Sequence, residues 1–241
     1  MSAPRFHCPA PLVAGDTIAL PPATFHHAVR VRRLRVGETL VLFAGDGLEV
    51  DATLSLIRRD GADALLATPV AVDRESPLDV TLLQGISSGD RMDYTLQKAA
   101  ELGVRRIVPV VTERSQRLTD ARADKRAAHW QQVVVSACEQ SGRNRIPAVD
   151  AVVAMRDALA LTNEATGLLL SCADGVQLRA VSRPVGAIAL LAGPEGGLSD
   201  DEERAARDAG YAGVTLGPRI LRTETAAIAA LAAMQALWGD G

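Results

Sequence analysis

Three short runs between residues 36 and 70 are rich in strand-forming and apolar side chains: Thr39 to Phe43, Leu48 to Ile57 and Ala62 to Val70. Turn signals at Gly45-Asp46-Gly47 and Arg59-Asp60-Gly61 separate them, which predicts antiparallel β structure. After a short polar connector, Val72 to Pro77, the pattern changes. Runs of strand length now alternate with helical periodicity: strand Val80 to Gln84, helix Asp90 to Leu102 ended by Gly103, strand Arg106 to Val111, helix Asp124 to Gln140, then strands near Leu168, Ile188 and Val214. This alternation predicts an α/β layer with a mostly parallel sheet. The change of pattern divides the chain into a β domain over 1–72 and an α/β domain over 73–241.

The stretch from Leu191 to Ala226 stands out within the second part. Leu-Ala-Gly-Pro-Glu-Gly-Gly-Leu-Ser is followed by a short acidic helix, a short apolar strand, and Leu-Gly-Pro-Arg-Ile-Leu-Arg-Thr-Glu-Thr-Ala. Ser199 with Glu202 forms a capping box, Asp200 and Asp201 suit the first helical turn, and Gly210 suits the position after the last turn. The residues 193–197 therefore form a strand-to-helix loop. Taken alone, that pentapeptide is also compatible with an ordinary glycine-rich turn. The second loop adds Arg219, Arg222, Thr223, Glu224 and Thr225 around Ile220 and Leu221, more chemistry than a plain connector needs. Loops that follow strands of an open α/β sheet share a crevice, so the two predict one pocket made largely of main chain.

Fingerprints of other nucleotide enzymes are missing. The sequence has no G-x-G-x-x-G opening a helix after a strand, no G-x-x-x-x-G-K-[ST] and no G-x-S-x-G. Dehydrogenase, P-loop and serine-hydrolase readings lose their main support. Three cysteines, Cys8, Cys138 and Cys172, form no C-x-x-C pair and favour neither a disulfide framework nor zinc. His7, His26, His27 and His129 show no metal-ligand spacing, so no metal is expected. No leader pattern and no apolar run of membrane-spanning length is present, which points to a cytoplasmic protein without membrane attachment.

The 241 residues, 48% hydrophobic, are ample for a core, whereas aromatics at 3% leave few stacking platforms for single-stranded nucleic acid. A net charge of −3 argues against a nonspecific nucleic-acid coat. The balance is uneven along the chain: residues 147–241 carry 7 basic and 12 acidic groups, whereas 1–72 carry 7 of each. The acidic surplus thus lies in the half with the two glycine loops.

The two loop sequences resemble the C-terminal signature of the bacterial 16S rRNA (uracil-N3)-methyltransferases of the SPOUT superfamily. Three further stretches fit the same family in order: Phe25 to Gly37 (FHHAVRVRRLRVG), Lys98 to Gly103 (KAAELG) and Glu139 to Asn144 (EQSGRN). Arg32 departs from the pattern, which has an apolar residue there. The resemblance implies a SPOUT-type parallel sheet with a C-terminal trefoil knot, preceded by a small PUA-like β-barrel that grips RNA. It implies a homodimer that uses S-adenosylmethionine to methylate N3 of a uridine in 16S rRNA near the decoding centre, late in assembly of the small ribosomal subunit. Carried over by position, the cofactor contacts would be Leu170, Leu191, Gly193, Glu195, Gly196, Gly197, Leu216, Gly217, Ile220, Leu221 and Thr225.

Given that resemblance, Arg30, Arg32, Arg33 and Arg35 with His26 become candidates for phosphate contact, since no acidic residue lies between Asp16 and Glu38. Without it, such a run reads as a solvated face. Arg143 and Asn144 follow a glycine helix cap at Gly142 and, by resemblance, would reach RNA and the active site across the dimer. Arg91, Thr95 and Lys98 share one helical face, a solvated stripe or an RNA contact through Arg91 and Lys98. The chemistry narrows the catalytic candidates: uridine N3 must lose a proton, so a base or an anion stabiliser must stand near the methyl donor. Glu224 could accept the proton and Arg222 could stabilise the anion, with Arg143 as a third candidate. The alternative for Arg222 and Glu224 is an ion pair that braces the loop. Two other classes compete with the enzyme: an RNA-binding module of the same fold without activity, and an α/β enzyme for another nucleotide-like ligand.

Overall fold

A computed structural model describes residues 3–116, 120–171 and 174–241. They divide into two compact units, Met1–Glu75 with Cys138–Ile146, and Ser76–Ala137 with Pro147–Gly241. The break thus falls three residues beyond the expected 72, and a segment read as part of the second domain goes with the first.

The first unit holds strands β1 (Arg5–His7), β2 (Thr17–Ala19), β3 (Thr39–Phe43), β4 (Leu48–Ile57), β5 (Ala62–Leu66) and β6 (Val70–Ala71) in one sheet, with path β1-β3-β4-β5-β2 and β6 on β4. The pairings are antiparallel except β1 with β3, which is parallel. Alternation along β4 turns Val50, Ala52 and Leu54 into a core shared with Phe6, Leu40, Leu42, Ala64 and Leu66. The third expected strand, Ala62 to Val70, is two: Pro69 cannot donate to a ladder, and pairing resumes only at β6. A one-turn helix α1 (Pro22–Phe25) continues directly into a π-helical turn over His26–Val31.

The segment 138–146 is bound into this unit by side chains. Arg143 and Asn144 are buried; the Arg143 guanidinium donates to Glu75, at 3.1 Å through Nε, and Asn144 Nδ2 donates to the Val72 carbonyl at 3.0 Å. Arg5 donates to Asn144 Oδ1, and Asp46 forms an isolated β-bridge with Arg145. Burial opposes ionisation of Glu49, yet hydrogen bonds from Arg74, Arg5 and Asn144 outweigh it and hold the carboxyl at about 2. A carboxyl held below its ordinary 4.5 stabilises the fold above that pH and loses its contribution as pH falls toward 2. Glu49→Gln is therefore expected to flatten the acid limb of a stability-against-pH curve between those two values. An unchanged limb in denaturant titrations would contradict this.

The second unit is a parallel sheet of eight strands, β7 (Val80–Gly85), β8 (Arg106–Val111), β9 (Ala148–Val149), β10 (Val153–Ala154), β11 (Thr166–Leu170), β12 (Val176–Gln177), β13 (Ile188–Ala192) and β14 (Ala212–Thr215). Its path is β10-β8-β7-β13-β11-β14-β12, with β9 on β8. The helices are α2 (Asp90–Glu101), α3 (Asp120–Ser141), α4 (Met155–Leu161), α5 (Asp200–Asp208) and α6 (Thr223–Trp238). Central strands are apolar on both faces, as a covered parallel sheet requires: every residue of β13 is buried. The capping box at α5 is formed, with Ser199 N donating to Glu202 Oε2 at 2.9 Å and Glu202 N to Ser199 Oγ at 3.4 Å. Gly103, Gly142 and Gly210 close their helices with positive φ. Because the strands are parallel, the ends of β11, β13 and β14 open on one edge, with β13 inserted between β7 and β11 and β14 outside β11.

Candidate active site

The loops that leave β11, β13 and β14 line a cavity of about 510 Å³, within the range of about 300–1,000 Å³ typical of small-molecule sites. One wall is apolar, built from Leu170, Leu198, Val214, Leu216, Ile220 and Leu221. The other is main chain, Gly193 to Gly197 and Gly217. Eight lining residues have polar side chains: Arg91, Ser171, Glu195, Glu203, Arg219, Arg222, Thr223 and Glu224.

The first loop is held from several sides. Glu195 Oε1 accepts from Ser88 N at 2.8 Å, Ser88 Oγ at 2.6 Å and Arg91 NH1 at 3.1 Å, which ties the loop to the start of α2. Burial opposes ionisation of Glu195, but the Ser88 and Arg91 contacts outweigh it and hold this carboxyl at about 2. Arg114 donates to the carbonyls of Gly196 at 3.0 Å and Leu198 at 3.2 Å. A Cβ on Gly196 would stand 2.9 Å from the Arg114 stem, and one on Gly85 would stand 2.6 Å from Pro194. Gly197 differs: a Cβ there meets nothing within 4 Å, but its φ of +70° lies in the left-handed region. Backbone conformation, not space, makes that position glycine.

Arg222 caps the second loop at the entry to α6, and Glu224 lies in the first turn of that helix. Among the described residues neither takes part in an ion pair, so the bracing reading has no bond to support it. Glu224 Oε2 is buried with no hydrogen-bond partner among the described residues. A carboxylate oxygen in that state is an acceptor without a donor, and a cost to the fold unless something supplies one.

Of the residues expected to touch a cofactor, Leu170, Gly193, Glu195, Gly196, Gly197, Leu216, Gly217, Ile220 and Leu221 line this cavity, together with Arg222 and Glu224. Leu191 does not, because its side chain is fully buried in the core with Leu83, Val108 and Leu169. Thr225 does not either; it is exposed on α6. Arg91, read as an RNA contact, lines the cavity, whereas Lys98 pairs with Glu101 at 2.7 Å. Thr95 is buried, so the face it shares with them is not a solvated stripe. Arg143 and Asn144 are among the buried residues of the first unit, their polar groups engaged there. The arginine cluster is exposed, with Arg33 at φ +60° and Arg30 stacked on Phe25 at 5.3 Å. Arg114, Ser88 and Gln84 escaped sequence reading: lone polar residues in a turn or an apolar run carry no pattern.

Cys8 and Cys138 are buried free thiols, Cys138 pushed up by burial to about 11, which suits a packing role; Cys172 lies outside the described residues. Among the described residues no group of three His, Cys, Asp or Glu is placed to hold a metal, and no helix is long and apolar enough to cross a membrane.

An RNA methyltransferase domain model matches residues 74–235, and an RNA methyltransferase PUA domain model matches 20–66. The ribosomal RNA small subunit methyltransferase E of Bacillus subtilis is 31% identical over 219 residues, 87% of this chain and 86% of its own. The crystal structure of a ribosomal RNA small subunit methyltransferase E from Neisseria gonorrhoeae bound to S-adenosyl methionine is 48% identical, with a TM-score of 0.93 over 99% of both chains. A methyltransferase of Legionella pneumophila in complex with the same cofactor is 38% identical, with a TM-score of 0.97 over the whole of both chains. The α/β unit is thus a SPOUT-type methyltransferase fold and the β unit is PUA-like, and the chain belongs to the ribosomal RNA small subunit methyltransferase E family.

Proposed function

We propose that this protein transfers the methyl group of S-adenosylmethionine to N3 of a uridine in 16S rRNA, near the decoding centre of the small ribosomal subunit. The observation that carries this reading is the cavity where both glycine loops meet beside Arg222 and Glu224. Its residues suit the cofactor. Apolar side chains accept a purine face, main chain of the two glycine loops borders room for a ribose and an amino acid, and no lysine or phosphate-cradling motif is present among the lining residues.

S-adenosylmethionine, when bound, supplies an electrophilic methyl group. The chain's own part is to hold uracil in line with it and to deal with the N3 proton. Glu224, with Oε2 buried and unpartnered, accepts that proton directly or through a water. Arg222 presents a planar, fixed positive charge to the uracil anion as it forms. The third catalytic candidate, Arg143, is buried on Glu75 and could contribute only by leaving that partner. The knot is supported by the insertion of β13 and the return of the chain through β14 to α6; a homodimer acting in the cytoplasm is part of the same proposal.

Binding is tested by calorimetry with S-adenosylmethionine, NAD and ATP: affinity for the first alone supports the reading, and preference for either nucleotide overturns it. RNA contact is assigned to the exposed Arg30, Arg33 and Arg35 of the PUA-like unit. Replacing all three with Ala should weaken RNA binding and flatten its dependence on log salt by roughly 0.7–0.9 per lost phosphate contact, with cofactor affinity unmoved. An unaltered salt slope would return the cluster to a solvated surface.

A further inference from the structure

Gln84, next to last in β7, is fully buried directly after Leu82 and Leu83. Its Nε2 lies 3.0 Å from the Gly85 carbonyl, 3.3 Å from Thr223 Oγ1 and 3.4 Å from the Gly193 carbonyl. An amide has two hydrogens for these three acceptors, and the longest contact is that to Gly193. Thr223, the buried first residue of α6, donates its hydroxyl to the same Gly193 carbonyl at 2.6 Å. The bonds run in one direction: Gln84 to Thr223, and Thr223 to Gly193. Among the described residues Gln84 Oε1 is buried and has no partner, so the amide is held there by its donors alone.

We infer that Gln84 is a positioning residue, which through the Thr223 hydroxyl and the Gly193 carbonyl fixes the first glycine loop against the start of α6. This rests on the reading of the cavity as the S-adenosylmethionine site. Gly193 begins the main-chain wall, and Thr223 lies between Arg222 and Glu224, so the relay sets the spacing between the cofactor wall and the two catalytic candidates. Gln84 itself is not among the residues that line the cavity. Its effect reaches the reaction only through the loops.

Gln84→Met keeps similar volume and removes both the donors and the unpartnered oxygen. The expected result is a rise in the dissociation constant for S-adenosylmethionine of about 10-fold, the loss of one relay of hydrogen bonds. The KM for RNA should stay as it is, and the melting temperature should move by less than about 4 °C. Thr223→Val should reproduce the loss and Thr223→Ser, which keeps the hydroxyl, should restore it. The double variant Gln84→Met with Thr223→Val should be no worse than either single one, because both cut the same relay. Wild-type affinity in Gln84→Met, equal losses in Thr223→Ser and Thr223→Val, or additive losses in the double variant would overturn the relay. Absence of binding by the unaltered chain would overturn the assignment of the cavity instead. Should Gln84→Met fail to fold, Gln84→Leu, which likewise removes both amide groups, takes its place in the same comparison.

Discussion

Glu224→Gln is expected to lower the single-turnover rate of methyl transfer about 10²–10⁴-fold while cofactor and RNA affinities hold. The substitution keeps shape and removes the capacity to take a proton. The deficit should shrink as pH rises from about 6 to 9, because more uracil then ionises without help. Arg222→Lys separates the second role. If Arg222 steadies the uracil anion, lysine should already be harmful, since a point charge on a flexible stem does not reproduce a planar fork. A Glu224→Gln enzyme at the wild-type rate throughout that pH range would exclude this carboxylate as the base and leave Arg222 as the main catalytic element. The absence of an ion pair between the two residues makes the experiment clean, as neither substitution strands a charged partner among the described residues.

Gly197→Val should reduce S-adenosylmethionine affinity by roughly 10- to 100-fold without unfolding the protein. The reason is the φ of +70°, a conformation that a β-branched residue resists at a cost of about 1–3 kcal/mol. Space is not limiting, as a Cβ would meet nothing within 4 Å. Gly197→Asn, which tolerates the left-handed region, should therefore be much milder than Gly197→Val. Equal losses for the two in calorimetry would show that bulk, not backbone, is at issue.

Much of this architecture is legible in the residues. The runs at Leu168, Ile188 and Val214 are short, apolar and bounded by loops, and all three are central parallel strands. Ser199, Glu202 and Gly210 announce α5 because capping is local chemistry. What depends on distant partners is hidden. The helical periodicity of α3 runs on to Ser141, so nothing in it signals that residues from Cys138 onward go with the first unit; Asn144, Arg143 and Glu75 decide that by hydrogen bonds. The N-terminal strands β1 and β2 are three residues each, too short for a period to show. Leu191 sits in a run buried on both faces, where alternation cannot tell a core side chain from a cavity side chain. Gln84 and Arg114 act on carbonyls far along the chain, from Gly193 to Leu198, and single-residue patterns do not reveal such pairs.

Methylation of uridine N3 in small-subunit rRNA, proposed for the cavity bounded by the two glycine loops, can be read from the product itself. The most direct measurement incubates the protein and S-adenosylmethionine with 16S rRNA and with small subunits, each lacking the modification, and then analyses the digested nucleosides by mass spectrometry against authentic standards. The expected product is N3-methyluridine at one site, formed far more slowly by Glu224→Gln and retained in Thr223→Ser. Methylation at another atom or another base, or no methyl transfer to either substrate by a protein that binds the cofactor, would contradict it.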